Sequence, residues 1–178
     1  MRMQKTRNSI QSTLNALGIY QIIGGVLGLA FSYWIVNVSF SIILLLDLFF
    51  ALGLYGFSIY CGILLIRKHK SGLIFSKINQ LLQVIQLAMF GYGFTYISGV
   101  SFSLGLDITD GLVLGFNFGL SNWKVTVNSE LDILMVRLNL IALFLIVAID
   151  KWQKKLNALK MEEKIASIGM TETKELVE

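Results

Sequence analysis

The chain has 178 residues, of which 55% are hydrophobic and 15% charged, and its mean hydropathy is +0.70. A soluble domain carries about a quarter charged residues, so the composition argues against an ordinary water-soluble globule and for lipid as the solvent. The net charge of +4 and pI of 9.2 do not indicate nucleic acid. Eleven of the 15 basic residues stand in three clusters that flank apolar stretches, where they act as topology signals and suit anionic headgroups.

In chain order, residues 1–14 form a polar start containing Arg2, Lys5 and Arg7. The uncharged stretch 15–36 predicts a first membrane span. It is longer than the apolar core of a signal peptide (roughly 7–15 residues) and reads as a retained signal-anchor. Residues 38–66 predict a second span with Asp47 as its single charge, and 67–77 a basic loop holding Arg67, Lys68, His69, Lys70 and Lys77. A third span is predicted over 78–100 and a fourth over 131–149, with Arg137 inside it. Each approaches the ~20 residues that cross ~30 Å of hydrocarbon. Residues 150–178 read as a weakly amphipathic helix carrying Trp152, Leu156 and Leu159, followed by a flexible tail.

Between the third and fourth spans the period changes from helical to two. Phe102, Leu104, Leu106 and Ile108 alternate with small or polar residues; so do Leu112, Leu114, Phe116, Phe118 and Leu120, and the phase then shifts to Trp123 and Val125. A three-residue turn at Thr109-Asp110-Gly111 would set Leu106 opposite Leu114 and Phe102 opposite Phe118. A second turn at Ser121-Asn122 would explain the phase shift. Residues 101–130 therefore predict an antiparallel three-stranded meander. Its apolar face (Phe102, Leu104, Phe116, Phe118, Trp123) is expected to lie on the outer helix ends as a lid, on the lipid interface or on a partner, because so small a sheet is not stable alone.

The expected fold is an all-α membrane protein: a four-transmembrane-helix bundle with a small β-meander between helices 3 and 4. The basic clusters place both termini in the cytoplasm and the meander outside, with a bacterial cytoplasmic membrane as the expected location. Charges in lipid need partners, so Asp47 and Arg137 are expected to form an intramembrane ion pair that fixes the helices; the alternatives are independent snorkelling or a protonated Asp47, and a functional ion or proton site. Gln21 on span one and Asn79, Gln83 and Gln86 on span three form a polar stripe where those two spans should touch.

Little else in the sequence carries chemistry. Cys61 is the only cysteine and His69 the only histidine, and no glycine-rich stretch has a phosphate-binding spacing. No enzyme, metal or cofactor is expected, and no motif ties the chain to a known family. The leading expectation is a non-enzymatic membrane protein that assembles with a membrane or extracytoplasmic partner, or with copies of itself. The runner-up is a small transporter or channel using Asp47, Arg137 and the Gln83/Gln86 stripe.

Overall fold

The computed structural model describes residues 2–36, 42–109, 111–126 and 133–175. It contains four helices and one four-stranded antiparallel sheet: α1 (Arg2–Val36), α2 (Ile42–Ile66), α3 (Gly72–Leu81), β1 (Ile85–Met89), β2 (Tyr92–Asp107), β3 (Val113–Thr126), β4 (Leu134–Asn139) and α4 (Leu140–Glu175). The all-α four-span bundle is therefore not the fold. Two helices are long and apolar enough to cross a membrane, over Gln4–Tyr33 and Leu48–Ile66.

These two helices form an antiparallel hairpin whose close approach depends on glycine. A Cβ at Gly18 would lie 2.8 Å from the Gly62 carbonyl oxygen, and one at Gly28 would collide with the Tyr55 ring. Small residues let helix backbones meet in this way. Residues 2–14 are the opening turns of α1, not a separate tail.

The predicted third span fails because its uncharged run consists largely of strand formers. After α3 ends at Leu81, Val84, Ile85, Tyr92, Phe94, Thr95, Tyr96 and Ile97 supply β-branched and aromatic side chains. Phe90 (φ 50°) and Gly91 (φ 81°) then make a two-residue turn that pairs Met89 with Tyr92. Two successive positive φ values mark the turn type that matches strand twist. Hydropathy alone cannot separate a buried hairpin from a membrane helix.

The predicted fourth span is divided in a similar way. Residues 134–139 are strand β4, and the helix starts at Leu140, where the Asn139 side chain accepts hydrogen bonds from Ile141 N–H (3.1 Å) and Ala142 N–H (3.4 Å). Asn139 is thus an N-cap, a role its short side chain favours. The uncharged part of α4, residues 140–149, spans only about 15 Å, half of a bilayer core. Two spans remain.

The sheet closes on itself through β2. Its first residues pair with β1 (Leu87 opposite Phe94), and its last pair with β4 (Gly105 opposite Arg137). β1 and β4 also pair with each other, from Ile85 opposite Leu138 to Met89 opposite Leu134. Closure requires β2 to bend, and it does so at a bulge between Ile97 and Val100, where Gly99 has φ 107°.

The β2–β3 hairpin has Leu106 opposite Leu114 and Phe102 opposite Phe118, the register that the turn length implies. The predicted second turn at Ser121-Asn122 is absent, because β3 runs unbroken through both residues. The phase shift comes from the bulge in the neighbouring strand.

Much of the apolar sheet face is exposed on the single chain. Phe116 is 72% exposed and Phe118 69%, with Leu114 and Phe102 also exposed, while Ser101 and Ser103 on the opposite face are fully buried. Leu104 is half-buried on the outward face. Trp123 belongs to the other face, edge-on to Phe94 with ring centroids 5.5 Å apart. Along this part of β2 the apolar residues point outward and the serines inward, the reverse of a sheet that packs its greasy face on a core, while β3 is exposed on both faces over residues 113–118.

Candidate functional site

The sheet meets the helical hairpin across an uncharged polar network. Ser58 is its centre. Its hydroxyl accepts hydrogen bonds from the Asn79 side-chain amide (3.1 Å) and the Ser98 hydroxyl (2.8 Å), and donates to the Gln21 carbonyl (3.1 Å). Ser76 donates to Gln21 Oε1 at 3.1 Å, which joins α3 to α1. Gln83 accepts from the Ser98 backbone N–H at 2.9 Å. The Tyr96 hydroxyl lies 2.9 Å from the Leu54 carbonyl and 3.0 Å from Asn79 Oδ1, so its one proton is shared between two acceptors.

A second set of bonds seats the β2 bulge on α1. Ser121 donates to the Gly24 carbonyl at 2.8 Å and accepts from Gly99 N–H at 2.9 Å. The Tyr20 hydroxyl both donates to and accepts from the Val100 backbone, at 3.0 Å each way. The bulge frees these backbone groups from strand pairing, and side chains of α1 and β3 satisfy them.

Of the predicted polar stripe, Gln21, Asn79 and Gln83 converge on this network, whereas Gln86 turns into the sheet and donates to Ser103 at 2.9 Å. Spans one and three do not meet as full helices; the contact runs through the short α3. Ser76, Tyr96 and Ser98 carry no signal in the sequence, and Ser121, expected in a turn, joins the bulge to α1 instead. Serines at alternate positions of a strand read as a solvated face, and only the outward apolar pattern could have shown that they lie inside.

Arg137 sits on strand β4, with its side chain stacked over Gly105, where a Cβ would approach its Cγ to 2.6 Å. The depth matching that suggested an Asp47–Arg137 pair relied on a fourth span, which is absent. Asp47 belongs to the second turn of α2, and its side chain lies outside the described residues. A carboxylate that does feel Arg137 is Asp107. Its carboxyl is held below the usual range first by the Thr109 hydroxyl and backbone N–H, with the Arg137 charge adding to the effect. Arg137 and Lys124 both border a partly open space of about 380 Å³ among the strands, together with Gln86, Asn117 and Asn122.

No protein family matches the chain, and no curated protein or solved structure is similar to it. Its own chemistry must therefore indicate its role. The network is built from hydroxyls and amides, and it places no base beside a nucleophile. Burial raises the Tyr96 phenol, so it remains a neutral hydrogen-bond donor. These groups hold elements together.

Ser58→Ala tests that role, because it leaves the Asn79 amide and the Ser98 hydroxyl without their shared acceptor. The loss should be about 1–3 kcal/mol, read as a lower unfolding midpoint in detergent, with Ser32→Ala as a partly buried serine control on α1.

Proposed function

We propose that this protein is a non-enzymatic membrane protein, anchored by the α1–α2 hairpin, that serves as an assembly or accessory subunit through its outward apolar surface. The observation that carries this reading is the reversed sheet. Leu114, Phe116, Phe118 and Leu120 expose one continuous apolar face, and α1 and α2 add Ile19, Ile23, Phe31, Leu46, Phe49 and Phe50, all exposed. A monomer in water rarely presents so large an apolar surface; one that does is covered by lipid or by protein. Closing the sheet also removes exposed edges for part of its length, which hydrocarbon demands.

Both termini are assigned to the cytoplasmic side. Positive charges at Arg7, Lys68, Lys77 and Lys151 support this. So does packing that gathers the ends of the helices: Ile10, Leu14, Leu17, Leu65 and Ile149 form one core cluster, and Lys77 bridges Asp150 at 2.8 Å.

The test of assembly is mass measurement of the protein extracted in polymer-bounded native lipid discs. A particle holding two or more protein chains is expected. A lone 19.9 kDa chain would leave the anchor intact and remove the subunit role. A second reading, passage of a small anion, draws on Arg137 and Lys124 bordering the space among the strands. Arg137→Gln would then abolish activity in cells while the folded protein stays abundant.

A further inference from the structure

The basic clusters are scattered in sequence, but the fold draws parts of all three into one cleft. Between the first turns of α1, the α2–α3 turn and α4 lies a cavity of about 710 Å³, bordered by Arg7, Lys68, Lys70, Lys160, His69 and Glu163. Four cations face a single carboxylate. That carboxylate, Glu163, is engaged by Arg7 at 3.1 Å, and both side chains are about half exposed or more, so the bridge is weak and leaves the cleft net positive. Lys68 carries φ 55°, a backbone state that non-glycine residues rarely adopt, and such residues concentrate at binding sites. The floor is apolar, made by Leu14, Leu65 and Leu156. The walls are charged and the base is closed by the core residues Leu14 and Leu65, so the cleft has the shape to take a headgroup while the acyl chains stay outside it.

We infer that this cleft binds a phosphate-bearing anion, supplied by the headgroup of an anionic phospholipid in the cytoplasmic leaflet. Basic pockets between membrane helices on that side recognise such headgroups, and each charge-assisted hydrogen bond to phosphate is among the stronger polar contacts a protein makes. The inference rests on the proposed membrane placement only for the source of the phosphate; the cleft itself does not depend on it.

The experiment is calorimetric titration of the full-length protein in a non-ionic detergent with dihexanoyl-phosphatidylglycerol, dihexanoyl-phosphatidylcholine and inorganic phosphate. Saturable binding of phosphatidylglycerol at least tenfold tighter than phosphatidylcholine is expected. Arg7→Gln with Lys160→Gln should weaken it tenfold or more, and Glu163→Gln should strengthen it. Lys151→Gln with Lys154→Gln removes the same charge from α4 outside the cleft and should leave binding unchanged; unaltered thermal unfolding shows that each variant folds. Inorganic phosphate binding as tightly as the lipid would support the site and identify a soluble ligand. Equal affinities for the two lipids, or equal losses in the two double variants, would overturn it. Membrane fractionation separates the two claims: a chain that stays with the membrane yet binds nothing loses the site alone, and an aqueous chain that binds phosphate loses the anchor alone.

Discussion

Gly24→Val should lower stability by about 3–5 kcal/mol, enough to remove most of the native state of a marginal fold. A Cβ at Gly24 would lie 2.5 Å from the Gly99 nitrogen and 2.7 Å from the Ser98 carbonyl carbon. Both are backbone atoms, so no side-chain rotation relieves the clash. Helix and sheet must separate instead, and that also breaks the Ser121–Gly24 and Tyr20–Val100 hydrogen bonds, each worth about 1 kcal/mol. Gly115→Ala is the matched control, since a Cβ there meets nothing within 4 Å and the change should stay within about 0.5 kcal/mol. Unfolding midpoints in detergent, or yields of folded protein, read the difference. Equal tolerance at both positions would mean that the β2 bulge does not rest on α1.

Phe116→Lys gives the second large effect. Phe116 is 72% exposed and stacks on Phe102 with ring centroids 5.7 Å apart. In water, a lysine at so open a position changes stability by little, within about 0.5 kcal/mol, and improves solubility. In hydrocarbon the same lysine costs about 2–4 kcal/mol. The measurement is the amount of protein recovered in membranes and its unfolding midpoint, beside Asn117→Lys, an exposed polar position on the opposite face of β3. A strong loss for Phe116→Lys places this face in lipid or against a partner. Near-neutral behaviour places it in water.

The β2–β3 hairpin was legible in the sequence because two signals agreed there, strict alternation on both arms and a turn of fixed length. Its facing was not legible. Period two says that the two faces differ without saying which one looks inward. The first two spans were legible as long uncharged runs, although the helical start of α1 at Arg2 was masked by its polar residues.

The third and fourth spans were misread for one physical reason. Sliding hydropathy reports how greasy a stretch is, not its backbone conformation. Around Tyr92–Ile97 the β-branched and aromatic content, and around Asn139 the capping side chain, were the available clues. Part of the polar stripe was visible because amides in apolar runs are rare; the serines that complete the network were not, since serine is common on any surface.

The central claim, that the outward sheet face meets an apolar environment as part of a membrane-anchored fold, is tested most directly by lipid photolabelling. Vesicles containing a phospholipid with a diazirine in its acyl chain are irradiated with the reconstituted protein, and modified residues are located by mass spectrometry. Modification should fall on Leu114, Phe116 and Phe118 together with Phe49 and Phe50, and spare the buried Ser101 and Ser103. Modification of the two helices with none on β3, and no partner covering that strand, would contradict the claim for the sheet; no modification anywhere would contradict the anchor as well.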